Sequence, residues 1–419
     1  MIHLKNATYI DWKSLSFKKT DIWAEQGTDG KIYFSKPEKK VTETIDCNGM
    51  YVTRSFAVGH HHVYSALARG MDAPKKDPAN FYEILKYVWW TLDKCLSPEM
   101  IEYSALTTAM ACAKAGSTFV IDHHASPNAV EGSLEIIAKA FEKVGVSHLL
   151  CYEITDRDGK NIAKKGLEES RKYLEKNQGL VGLHASFTVG DKTLEDAVEL
   201  MYSANSGIHV HVAEDLYDQN HCIKKYGKRV IQRLFDAGAM DSPKTILGHC
   251  LHLDKKERQI IEQSPCWVVQ NMESNLNNKV GLFSGKGLGD NIMLGTDGMH
   301  SDMLKSAKAA FFAGQLSDNI TYPSSYTRFR NVHKYISSNG FKGDGDNNLV
   351  VLKYDSPTDF NKNNFYGHFL FGLDSNHIQH VISDGSVIVK DRRITTVDEE
   401  AILKRSVELS KLLWKKMQS

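Results

Sequence analysis

The segment Gly59-His60-His61-His62-Val63-Tyr64 sets three imidazoles in a row directly behind the apolar run Ser55-Phe56-Ala57-Val58. In a strand, side chains alternate faces, so His60 and His62 point one way and His61 the other. Two imidazoles on one face can share a metal ion, whereas a lone HxH at a polar strand end needs none. The other histidines and acids of the chain decide between these readings. His211 stands near the tip of "HVHVAED", with Glu214 three residues on; His249 ends "TILGH"; Asp297 ends "NIMLGTD". His60, His62, His211 and Asp297 make a nitrogen-rich set suited to zinc or ferrous iron, with a position left for water. Glu214, beyond the strand alternation, can lean over that water as a proton shuttle without entering the metal shell.

These residues need elements that bring them to one place. From about residue 54 to the 310s, β-rich runs ("RSFAV", "STFVID", "SHLLCYEI", "GLVGLHA", "GIHVHVA", "TILGHC", "CWVVQN", "NIMLGTD") alternate with segments of helical period such as Ser133 to Val144 and Leu194 to Ser203. Such alternation predicts a parallel sheet, and eight units predict an α/β chain folded as a (β/α)8 barrel, with a doubly wound sheet left open on pattern alone. In a barrel, catalytic groups sit where strands end, and each candidate above falls at a strand end. His184 ends the fourth strand, and Asp122, His123 and His124 end the second. Both chain ends read instead as short alternating strands broken by Gly, Asn and Asp. They are expected to form one small β-sandwich from residues 1-53 and 346-419, with a C-terminal helix, around a catalytic barrel of residues 54-345. The segment from Phe81 to Met100 makes a long first crossover, expected as helices over the barrel mouth.

Composition narrows the class of partner. Among 419 residues, 52 Lys and Arg nearly cancel 51 Asp and Glu, so no global field recruits nucleic acid or an anionic membrane, and a small-molecule substrate is expected. Seven scattered cysteines without a CxxC pair fit reduced thiols in the cytoplasm. No run reaches the roughly 18 apolar residues of a membrane span, and the start, "MIHLKNATYIDW", lacks a signal-type core. The apolar crossover adds the expectation of a homodimer.

The set "GHHHVYSALARG", "HVHVAED", "LGHCLHL" and "LGTDGMHSDM" resembles the amidohydrolase superfamily, in its cytosine-deaminase-like and chlorohydrolase-like branch. Through "VIDHHASP", "HASFTV" and "YGK" the chain is most similar to the SsnA-type aminohydrolases, over nearly its whole length. The resemblance implies His60, His62, His211 and Asp297 as metal ligands, Asp297 also as proton acceptor, and Glu214 as the acid that serves a substrate ring nitrogen. It implies His249 as a residue holding the attacking water or the substrate, and His184 as a substrate contact, although Ser186 replaces the proline relatives carry after it. Binuclear relatives use a carboxylated lysine on the fourth strand. None stands here, so one divalent ion is expected, zinc first and iron second.

Beside these stand plainer assignments. His123 and His124 carry two readings, substrate contact and loop structure, and the first is adopted for one of them. His209 shares a face with His211 and reads as support or packing, and His61 as structural. Trp89 and Trp90 read as helix core or as a stacking platform. Glu153, Asp156 and Arg157, after the third strand, could meet a polar substrate group, with solvated loop charges as the default. The implied reaction is hydrolytic deamination of a small cyclic amidine-like compound, a purine, pyrimidine or relative, by metal-activated water. Cyclic amide or chloro-heterocycle hydrolysis and formimino hydrolysis are the enzymatic alternatives, and a scaffold that has lost activity is the remote one.

Overall fold

The computed structural model describes all 419 residues. Eight parallel strands occur in chain order: β1 (Phe56–His61), β2 (Ser117–His124), β3 (Ser147–Ile154), β4 (Val181–Ala185), β5 (Ile208–Val212), β6 (Ile246–His249), β7 (Trp267–Gln270) and β8 (Ile292–Leu294). Each pairs in parallel with the next, giving a sheet in sequence order. The ring closes where the amides of Thr296 and Asp297 donate to the His60 carbonyl at 3.0 and 3.1 Å. That seam needs glycine. A Cβ on Gly59 would meet the Leu294 carbonyl at 2.6 Å, and one on Gly295 would meet the Asn271 Oδ1 at 2.3 Å. The chain is thus a (β/α)8 barrel, as its alternating pattern predicts.

Helices between the strands cover the barrel with their apolar stripes. The helix Ser133–Val144, for example, buries Leu134, Ile137, Ala138, Phe141 and Val144, spaced at i, i+3, i+4, and is closed by Gly145 in the left-handed conformation. Inside the barrel, Ala57, Phe119, Ile121, Leu149, Cys151, Ile246, Trp267, Val269 and Met293 form one apolar cluster with Val332, Tyr335 and Ile336 of the helix Tyr322–Ser338. This plug fills the barrel below the polar mouth, so the mouth has a dry floor.

Strands from both chain ends join in one nine-stranded sheet. Its seam is the antiparallel pairing of Tyr51–Arg54 with Leu349–Leu352, in register Arg54 to Leu349. The C-terminal helix Glu399–Gln418 opens on the Asp398 cap and acidic residues and ends in lysines, in keeping with the helix dipole. Its Trp414 indole donates to the Leu67 carbonyl at 2.8 Å, which ties the chain end to the turn after β1. The crossover between β1 and β2 contains a helical segment from Phe81 to Cys95, with a π-type turn at Leu85–Trp89, followed by the helix Pro98–Lys114. No helix is long and apolar enough to cross a membrane.

Candidate metal centre and active site

The strand-end histidines do converge, and their hydrogen bonds fix which ring nitrogen faces the centre. His62 Nδ1–H donates to the His123 carbonyl at 2.7 Å, and His211 Nδ1–H donates to the His184 carbonyl at 2.8 Å. Each therefore presents a lone pair at Nε2. For His60 the same outcome follows from a longer relay. The Cys151 thiol donates to the Asp122 carbonyl, its sulfur lies 3.7 Å from His209 Nδ1, and His209 Nε2 is left to accept from His60 Nδ1–H at 2.9 Å. His60 Nε2 is then a buried atom with no protein partner. Burial and the neighbouring imidazoles hold His60 and His211 well below the ordinary histidine range, which keeps these rings neutral.

Asp297 completes the group. Its Oδ1 lies 3.3 Å from His62 Nε2 and 3.9 Å from His60 Nε2. Burial pushes its pKa up, but His62 and His249 outweigh that and hold it low. The Nε2 atoms of His62 and His211 are 3.1 Å apart, so two lone pairs face each other across a gap in which neither has a proton to donate. A cation between them removes that repulsion and satisfies the orphaned His60 nitrogen. Three neutral imidazoles and one carboxylate are the donor set of a zinc-type catalytic site, and the residues fit such an ion.

His249 is different. Its Nδ1 accepts from the Asn275 side-chain amide at 2.8 Å, so the proton sits on Nε2, which points at Glu214 Oε2 (3.4 Å) and Asp297 Oδ2 (3.7 Å). A ring in that tautomer donates and does not ligate. Burial and the nearby Asp297 raise Glu214 well above the usual carboxylate range, which favours its acid form.

The backbone aims these side chains by turning sharply where the strands stop. Ala213, His249, Cys250 and Asp297 all carry positive φ, between 46° and 64°, a conformation that L-residues adopt at a price in strain. The turn at Ala213 is held by Asp218, whose carboxylate accepts from the amides of Ala213 (2.9 Å) and Phe187 (3.1 Å). Asp122 does the same after His62, accepting from Val63 at 2.7 Å.

A cavity of about 70 Å³ opens onto this centre. It is lined by His62, His211, Glu214, His249 and Asp297, and by His184, whose Nδ1 is bonded to Thr188 at 2.7 Å, leaving the other nitrogen free. Neither His123 nor His124 lines it. His123 is used from behind, with its Nε2–H shared between the Leu183 and His209 carbonyls, and His124 turns outward to Ser126 at 2.9 Å. The sequence predicts that one of them meets substrate, and the structure places neither on the cavity wall: strand alternation sends His124 away from the barrel axis, and the His123 ring packs against those of His62, His209 and His211. Trp89 and Trp90 do line the cavity.

Glu153 and Arg157 also depart from expectation, being buried instead of solvated. Arg157 pairs with Asp93 from the first crossover, and Glu153 lines the cavity. No local sequence signal joins Asp93 to Arg157. For Asn275, which sets the His249 tautomer, the only cue is its place just beyond β7.

Fold and site together define a (β/α)8 barrel with a cluster of histidines and carboxylates, a candidate metal site, at the mouth formed by its strand ends. The sequence profile of the amidohydrolase family matches residues 56–330, and the chain belongs to that family. It is 25% identical over 426 residues to a 5-methylthioadenosine/S-adenosylhomocysteine deaminase of Thermoanaerobacter pseudethanolicus, covering 96% of each chain. Among solved structures it superposes on an adenosine deaminase of Xanthomonas campestris with bound zinc, at a TM-score of 0.84 and 15% identity over 99% of this chain and 98% of that one. An atrazine chlorohydrolase of Arthrobacter aurescens complexed with zinc gives 0.82 and 15%, over 98% and 100%.

Proposed function

We propose that the protein is a mononuclear zinc-dependent aminohydrolase that deaminates a small purine-like compound. The observation carrying this is the split in tautomers: three imidazole lone pairs and Asp297 gather at one point, while the His249 N–H and Glu214 face the same space from the open side. His60, His62, His211 and Asp297 would hold the ion. When bound there, a divalent ion makes a neighbouring water acidic enough to lose a proton near neutral pH.

The chain's own groups supply the rest. Asp297, kept ionised, accepts the proton of the attacking water. Glu214, raised into its acid form, delivers a proton to the substrate ring nitrogen as the adjacent amidine carbon is attacked; Asp297 then passes the water proton to the departing amine, and the proton released from the new hydroxyl as the carbonyl forms restores Glu214. His249 Nε2–H steadies the oxygen that becomes the product carbonyl. The products are a carbonyl compound and ammonia. The deaminase names of relatives at 25% identity support the purine-like substrate, and the zinc-bound structural neighbours support zinc over iron. We further propose that residues 54–345 form the catalytic unit and that the two chain ends support it.

The test is an ammonia-release screen over aminopurines, their nucleosides, aminopyrimidines and formimino compounds, with zinc- and iron-loaded protein. Ammonia from an aminopurine or its nucleoside, abolished by Glu214→Gln, is the expected result. Chloride release from chlorotriazines with no ammonia from any amine would replace deamination by the chloro-heterocycle alternative.

A further inference from the structure

The cavity wall beside His184 and His211 carries a buried carboxylate that has only ion-pair neighbours, His123 and Arg157, and accepts no hydrogen bond from the protein. Glu153, at the end of β3, has 3% of its side chain exposed and lines the cavity beside His184, Trp90 and Tyr64. Around it lie two cations and two further carboxylates. Arg157 donates to Asp93, its Nε lies 3.1 Å from Asp158 Oδ2 as an ion pair without a hydrogen bond, and Lys94 Nζ takes the other oxygen of Asp158 at 2.7 Å. Glu153 Oε1 is left 3.7 Å from Arg157 Nη2, beyond hydrogen-bond range. Its Oε2 lies 3.3 Å from His123 Nδ1, but that nitrogen makes no hydrogen bond, the ring's Nε2–H being spent on two backbone carbonyls. Three carboxylates against two cations leave one buried negative charge in surplus, and it faces the substrate space.

A buried charge without a partner is destabilising, and it persists where the bound ligand supplies the partner. Trp89, Trp90 and Tyr64 line the same cavity, and aromatic walls beside a carboxylate favour flat, electron-poor or cationic groups. Resting on the reading of this cavity as the substrate pocket, we propose that Glu153 is a specificity-determining residue that binds a cationic or paired N–H donor group of the substrate. The pocket thereby takes amidinium-like or amino-bearing heterocycles and rejects substrates that would place a phosphate or carboxylate against β3.

The test uses two probes of one shape, benzamidine, which is a cation at neutral pH, and neutral benzamide. Binding of each to the metal-loaded protein is measured by calorimetry, with no turnover required, so the outcome stands apart from whether ammonia release is found. Benzamidine is expected to bind the wild type about tenfold or more tighter than benzamide. Glu153→Gln should bring the two within about twofold, while Glu153→Asp and Glu214→Gln, both with unchanged metal content, keep most of the difference. Equal binding of the probes to the wild type overturns the proposal without recourse to any variant. A preference that survives Glu153→Gln, or disappears only in Glu214→Gln, overturns it as well.

Discussion

Glu214 separates catalysis from metal binding more sharply than any other residue of the site. Its Oε2 is 3.4 Å from the His249 Nε2–H, its side chain is 13% exposed, and it stands just past the strained turn at Ala213. Its contact within the cluster is with His249 and not with His60, His62 or His211, so replacing it leaves the four proposed ligands in place. Glu214→Gln keeps the volume and one oxygen acceptor and removes only the transferable proton. General acid help is worth about 10²- to 10⁴-fold in rate, equivalent to about 3 to 5 kcal/mol of barrier. The variant should therefore bind metal stoichiometrically, melt at the wild-type temperature, and lose two to four decades of turnover by about that energy. Elemental analysis and steady-state ammonia release on one preparation decide it. Full metal with a rate within about threefold of wild type refutes the proton-shuttle role, because loss of a general acid does not leave so small an effect. Lost metal would instead move Glu214 into the shell.

His60→Ala and His211→Ala each remove a nitrogen whose neighbours stay fixed, and should lose most metal and all measurable turnover by elemental analysis and ammonia assay. Asp297→Asn keeps an oxygen donor without a proton acceptor, so some metal stays while activity collapses; equal activity to wild type would contradict it. Asn275→Leu leaves His249 Nδ1 buried and unpartnered, and should lower kcat by about ten- to a hundredfold with metal unchanged. Nitrogen-15 shifts of His249 report whether the Nε2–H tautomer is lost in that variant, and an unchanged tautomer would break the assignment. Acid should weaken the fold through buried His124, whose pKa burial depresses from 6.5 to about 3. Because the folded state favours the neutral ring, that stabilisation is complete above pH 6.5 and falls as pH drops from 6.5 toward 3, by about 1.4 kcal/mol per pH unit. Denaturant midpoints at several pH values should show a shallower decline in His124→Asn.

The barrel was legible because each strand is a short apolar run with a polar residue where it stops, and His60, His62, His211 and Asp297 all follow that rule. What period-2 alternation does not carry is a break in itself. Counting back from His62, the inward face of β1 would include Val58, yet Ala57 packs in the interior cluster and Val58 in the outer one, because the β1–β2 register shifts between Val58 and His61. Likewise His249 follows Gly248 directly and reaches the centre only through its left-handed backbone, for which the sequence shows no glycine to betray the turn. Depth is the other hidden quantity. His123 and His211 both point inward, but only His211 lines the cavity, a difference of height along the barrel axis set by strand stagger. Charge pairing at long range is hidden for the same reason: Arg157 reads as a loop cation until the crossover folds back and Asp93, 64 residues earlier, takes its guanidinium. Once that pair forms, Glu153 is left over. The misreading of the β3 loop as solvated and the surplus carboxylate in the cavity therefore have one physical origin, the return of the first crossover over the barrel mouth.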